Sequence, residues 1–305
     1  MAKSPKASAL VNSPRDGRGG GLSSDIQAIV LKEDDFGHEM RVGNLLRDFP
    51  AIQIQHGGTY TDLVSSKPRQ FDFRCSLKKK AAELHLAVEC KNLHPSKPLV
   101  ICGTKRRESE AFHDIIESRW GLHTRGQRGE VTIDGGSSVT LRAKLKDAFY
   151  CPGEFAGKSI LRIKLGPNPA SHLSAPDSDI YDKWAQAVSS SVGLAEVACE
   201  GAERYRLPEF YAAVLPAVVV PDQGMWIVDY SESGDILKPP SLVEACDFYV
   251  GREITLPELW MPHKFAFSHV HFFTLSGFQR FLTDIATHED RWNTLFTTRA
   301  RTLIP

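Results

Sequence analysis

The segment "LHLAVECKN", Leu84 to Asn92, constrains this chain more than any other. Four apolar residues, Leu84, Leu86, Ala87 and Val88, lead into Glu89, Cys90 and Lys91. Side chains alternate across a strand, so Glu89 and Lys91 share one face and Cys90 takes the other. Burying a glutamate and a lysine is costly unless each is paired or ligated. The fold must therefore bring partners to the end of this strand. Upstream, "QFDFRC" carries an isolated acid, Asp72, in another apolar, alternating run. If the two strands pair through the Lys78–Lys79–Lys80 turn, Asp72 comes to lie near Glu89. Two carboxylates and a lysine then converge.

The flanking segments indicate a mixed α/β core. "AIQIQ", "RQFDFRCSL", "LHLAVECKN" and "LVICG" have the alternation or the apolar continuity of strands. The stretch "SSDIQAIVLKEDDFGHEMRVGNLLRDFP" has helical spacing and predicts two helical pieces parted near Gly37 and closed by Pro50. In "RRESEAFHDIIESRW", Ala111, Phe112, Ile115 and Ile116 fall on one helical face, so a further helix is expected there. Further along, "SDIYDKWAQAVSSSVGLAEVACEGA" predicts a long helix with Trp184 inward and Asp182 and Lys183 toward solvent. "AAVLPAVVVPDQGMWIVDY" is expected to form an apolar hairpin. "CDFYVGREI" and "FAFSHVHFF" predict strands, and "TLSGFQRFLTDIATHEDRW" an amphipathic helix. The expected organisation is a basic, disordered arm over 1–22, a core over 23–166, and an α+β extension over 167–305 packed on that core. One continuous domain is the alternative.

Charge narrows the function. The chain has 37 basic and 37 acidic residues among 305 and a formal net charge of zero, which argues against a strongly basic nucleic-acid binder. Basic residues still cluster at Lys78, Lys79 and Lys80 and at Lys105, Arg106 and Arg107, either as phosphate contacts or as solvated turns. The six cysteines form no CxxC pair, which fits a reducing compartment. The chain has no apolar run near the length of a membrane span and no apolar core in its N-terminal segment, so a cytoplasmic location without membrane contact is expected. "RGQRGE" and "DGRGGG" lack the Gly-Lys-Ser/Thr ending of a P-loop. His269 and His271 alternate on one strand, with His263 upstream. No carboxylate stands nearby at ligand spacing, so a half-exposed strand face is expected there.

Asp72 in "RQFDFRC" and the Glu-x-Lys of "LAVECKN" resemble the motif of the PD-(D/E)xK, or restriction-endonuclease-like, nuclease superfamily. The resemblance covers roughly residues 36–119. Phe71 stands where the motif's proline would be, and nothing after residue 128 maps onto the pattern. The resemblance implies a restriction-endonuclease-like sheet core flanked by helices and a metal-dependent hydrolysis of DNA phosphodiester bonds, in defence against foreign DNA or in repair. It implies catalytic roles for Asp72, Glu89 and Lys91, with Glu39 of "FGHEMRVGNLL" as the helix-borne glutamate. It further implies Mg2+ or Mn2+ held by Asp72, Glu89 and the Cys90 backbone carbonyl. Asp72 and Glu89 are hard oxygen ligands of the kind Mg2+ prefers. Lys78–Lys80 and Lys105–Arg107 would then contact DNA phosphates. The C-terminal half would offer a surface for a dimer or a partner protein. The rival expectation is a non-catalytic nucleic-acid-binding or scaffold module that keeps the nuclease fold.

Overall fold

The computed structural model describes residues 19–62, 66–94, 96–121, 123–126, 129–132, 136–144, 149–171, 173–175, 178–256, 262–296 and 301–303. Residues 1–18 of the expected arm lie outside this set. Its last residues, from Gly19, already belong to helix α1 (Gly19–Glu33). Helix α2 (Phe36–Arg47) follows. The break between them falls at Asp34–Asp35, and Gly37 lies within the first turn of α2.

The chain is a mixed α/β protein with a sheet of fourteen strands and six α-helices among the described residues. One edge of the sheet is an antiparallel meander of Ile52–His56, Phe73–Lys79 and Ala82–Cys90. The strand Glu209–Val220 then pairs parallel to Ala82–Cys90, with Tyr211 opposite Ala82 and Val219 opposite Cys90. On its other side it meets Phe112–Trp120 antiparallel and His263–Thr274 parallel. The sheet therefore runs without a break across the 166/167 boundary.

Both faces of the meander are covered. Leu84, Leu86, Val88 and Cys90 join Val42, Leu45 and Leu46 of α2 in one core. Ala87 faces the other core, beneath Ala187, Val188, Val192, Ala195 and Ala198 of helix α3 (Ser178–Cys199). Every residue of this strand after Ala82 is buried, so Glu83, His85 and Glu89 on the face toward α3 are buried along with the apolar residues. Glu89 itself is buried, at 1% exposure.

Two expectations are corrected by pairing. "FHDIIESRW" is a strand, Phe112–Trp120, and not a helix. Ile115 fills one core and Ile116 the other, an alternation that helical spacing concealed. Its buried Asp114 accepts two hydrogen bonds from Arg142 on the adjacent strand Gly136–Lys144, at 2.7 and 2.9 Å. The expected apolar hairpin is absent. Met225–Asp229 leaves Glu209–Val220 and pairs parallel to Leu99–Lys105. With both strands in parallel pairings, no hairpin is formed between them.

Candidate functional site

Two parallel strands joined through a helix require that helix to run against them. Helix α3 lies in the connection between Ala82–Cys90 and Glu209–Val220. Its N-terminal turns thus reach the carboxyl end of Ala82–Cys90, where Glu89 stands. Ligand crevices of α/β sheets open at such strand ends. At the other end, Tyr205, just past α3, donates its hydroxyl to Glu83 at 3.0 Å. Small residues let α3 lie close on the sheet, and Ser190 and Ser191 are fully buried.

The two expected acids meet here. Asp72 immediately precedes Phe73–Lys79, and its Oδ2 accepts the Cys90 N–H at 2.7 Å. That bond closes the end of the two-strand ladder, whose last pair is Phe73 with Val88. Lys183 of α3 donates to Asp72 Oδ2 at 3.0 Å and to Glu89 Oε2 at 3.3 Å. The expectation that Lys183 faces solvent is therefore corrected, since its side chain is only 17% exposed. The signal was present in the sequence. Lys183, Ala187, Ser190, Ser191 and Leu194 recur at helical spacing along the stripe that faces the sheet.

One ammonium only partly offsets two carboxylates. Burial raises the Glu89 pKa to about 8, and the neighbouring Asp72 charge adds to the rise against the pull of Lys183. Burial would lower the Lys183 pKa, but Asp72 and Glu89 outweigh it and hold the ammonium protonated. Glu89 Oε1 is buried without a hydrogen-bond partner. An uncompensated, buried carboxylate oxygen beside a second carboxylate suits a hard cation. Mg2+ commonly uses one or two carboxylates and keeps several waters. Among the described residues, no group of three or more His, Cys, Asp or Glu side chains is arranged to hold a metal ion. Two carboxylates alone make no closed metal site, so any cation held there would need water or backbone oxygens to complete its shell.

Lys91 and Glu39 are placed differently from expectation. Lys91 follows the strand and its Nζ bonds Asp35 Oδ2 at 3.1 Å. Asp35 also accepts the Asn92 N–H at 2.7 Å, and Asn92 Nδ2 donates to the Leu31 and Asp34 carbonyls. Asp35, for which the sequence suggested no role, stands at the start of α2 but makes no side-chain cap. Its carboxylate instead ties the α1–α2 junction to the end of the strand. Lys91→Ala should lower stability by about 1 kcal/mol, read in a denaturant melt, because it removes one half-buried ion pair. Glu39 Oε1 bonds His56 Nε2 at 2.6 Å. Its charge reaches the Cys90 thiol, whose pKa is raised mainly by burial.

The basic clusters serve largely internal purposes. Lys78 and Lys79 end the strand Phe73–Lys79 and Lys80 opens the two-residue turn, at the opposite end of the strands from Asp72 and Glu89. Lys78 Nζ sits 3.3 Å from the centre of the Tyr205 ring. Lys79 Nζ donates to the Ile285 and Ala286 carbonyls at 2.7 and 3.0 Å, near the end of the helix Leu275–Thr287. Lys80 is exposed. Lys105 and Arg107 are exposed, but Arg106 between them is buried. Arg106 as a phosphate contact is therefore corrected. It bonds Asp247, Glu154, the Cys151 carbonyl and His269.

The histidine face is also corrected, being buried rather than half exposed. His269 and His271 are 1% and 3% exposed because their strand has neighbours on both edges and cores on both faces. Burial lowers the His269 pKa to about 3. His271 bonds Tyr150 at 2.6 Å and Asp247 at 3.0 Å. His263 lies against the Ser138 and Thr140 hydroxyls. A cavity of about 720 Å³ borders His271, Asp247 and Phe273, but Asp72, Glu89 and Lys183 do not line it. No family model, no curated protein and no solved structure matches this chain.

Proposed function

We propose that this protein is a metal-dependent nuclease that hydrolyses DNA phosphodiester bonds at Asp72 and Glu89. The observation carrying this reading is that the two acids, from adjacent antiparallel strands, converge on one cation while Glu89 Oε1 stays buried and unpartnered. The order of elements supports it too. Around the site stand helix α2, the antiparallel strands Ile52–His56, Phe73–Lys79 and Ala82–Cys90 and, after seven further strands along the chain, helix α3 and the strand Glu209–Val220 parallel to the third. Such an arrangement agrees with the restriction-endonuclease-like core that the motif resemblance implies.

Asp72 and Glu89 would hold Mg2+ or Mn2+, with the Cys90 carbonyl as the third expected ligand. A cation bound there would acidify a water and draw charge from the scissile phosphate. The chain's own residues supply the rest. Asp72 is fixed by the Cys90 N–H, so one carboxylate is oriented before any ligand arrives. The Lys183 ammonium stands beside both acids, in position to offset charge that builds on a phosphate in the transition state. Asp35 and Lys91 brace the strand end against α2. Lys80, Lys105 and Arg107 remain available to DNA phosphates, with affinity but no sequence choice.

The test is incubation of the full chain with plasmid and single-stranded DNA, with Mg2+ or Mn2+ and with a chelator. Cleavage should appear with the metal and vanish with the chelator. Binding of DNA without cleavage under either metal would instead favour the non-catalytic binding module.

A further inference from the structure

We propose that Lys183 is a resident counter-ion occupying the position of the divalent cation, so that cation binding requires the ammonium to leave the carboxylate pair. This rests on the metal-centre reading above and concerns how the centre is loaded.

The argument is geometric. Lys183 Nζ bonds Asp72 Oδ2 and Glu89 Oε2 at once, at 3.0 and 3.3 Å. An Mg2+ ion chelated by the same two carboxylates needs oxygens at about 2.0–2.1 Å. An ammonium and a divalent ion sharing those oxygens would be near neighbours of like charge, and their repulsion is strong at a half-buried site. The ammonium has somewhere to go. It sits on a flexible four-carbon stem. Asp35, whose side chain is 27% exposed, is close enough for its charge to act on Lys183. A shift from Asp72 and Glu89 toward Asp35, which it would share with Lys91 and the Asn92 N–H, keeps the lysine beside an anion and frees both carboxylates. Lys183 thereby stabilises the metal-free protein, keeps weakly bound monovalent ions out, and stays beside the site once the metal is in.

The test is Mn2+ affinity, measured by calorimetry on the full chain for wild type, Lys183→Met, Lys183→Gln and Lys183→Arg. Both neutral variants should bind Mn2+ at least ~10-fold more tightly than wild type, since a competing charge is gone. Lys183→Arg, which keeps the charge, should stay within about threefold of wild type. The same neutral variants should cleave DNA more slowly, so affinity and activity move in opposite directions. Two neutral variants guard against one failing to fold. Wild-type affinity or weaker in a folded neutral variant, with binding still abolished by Glu89→Gln, overturns the counter-ion role alone. Mn2+ binding that survives Glu89→Gln unchanged overturns the metal-centre reading as well.

Discussion

Asp72→Asn and Glu89→Gln should each reduce metal-dependent DNA cleavage by about 10³-fold or more, because loss of a metal ligand removes several kcal/mol of transition-state stabilisation. Both substitutions keep the side-chain volume. In Asp72→Asn the amide oxygen can still accept the Cys90 N–H, so the strand end should stay closed. Cleavage within about tenfold of wild type in either variant would sink the site assignment. Glu89→Gln has a second, independent readout in stability. A carboxylate whose folded pKa is raised to about 8 from 4.5 favours its protonated form in the fold. Its contribution to stability is complete below the unfolded pKa of 4.5, declines as pH rises, and is lost above about 8. The neutral amide introduced by Glu89→Gln carries no such dependence. In chelator, the stability of Glu89→Gln should therefore gain on wild type across that pH window, by an amount on the order of a few kcal/mol in denaturant melts. A difference that is flat with pH would mean that Glu89 is not strained by burial.

Arg106→Ala should cost about 3–5 kcal/mol, the range for removing one partner from a buried ion pair. The Arg106 side chain is fully buried. It donates to Asp247 at 2.7 Å, to Glu154 and the Cys151 carbonyl at 2.9 Å, and to His269 at 3.1 Å. It also lies 5.2 Å from the centre of the Tyr150 ring. Burial would raise the Asp247 pKa, yet His271 and Arg106 outweigh it and hold it below the ordinary carboxylate range. Without Arg106 that carboxylate keeps only His271, and His269 and the Cys151 carbonyl each lose a donor. Arg106→Lys should recover only part of the loss, since one ammonium cannot reproduce the guanidinium fork. Thermal melts decide it. A change under about 1 kcal/mol, accompanied by weaker DNA binding, would restore Arg106 to the surface role expected from its basic neighbours.

Several local features were legible in the chain. Alternation gave the strands Phe73–Lys79 and Ala82–Cys90, and their connection through the lysine turn followed from hairpin spacing. Asp72 beside Glu89 then follows from register, because a two-residue turn fixes which residues face each other. Where alternation and helical spacing coincided, the sequence misled. Ile115 and Ile116 suit a helix face, but in a strand they fill opposite cores. The lysine of the Glu-x-Lys triplet misled for another reason. Lys91 lies one residue past the last ladder pair, still bonded through its N–H to the Val219 carbonyl, but its side chain goes to Asp35 rather than to the carboxylate pair.

Sequence alone determined that a strand would end in a carboxylate, and it put a second acid within reach provided that strand paired with its upstream neighbour, since both follow from local periodicity and short-range pairing. Only the tertiary structure decided which cation answers them. Lys183 lies 94 residues from Glu89 along the chain. It reaches the site because a parallel pairing sends α3 back over the sheet with its first turns at the carboxyl end of the strand. A different long-range pairing, of Ala245–Leu256 with His263–Thr274, gathers Asp247, His269 and His271 around Arg106. Burial depends on which elements stack, and that is a property of the whole sheet rather than of any one segment.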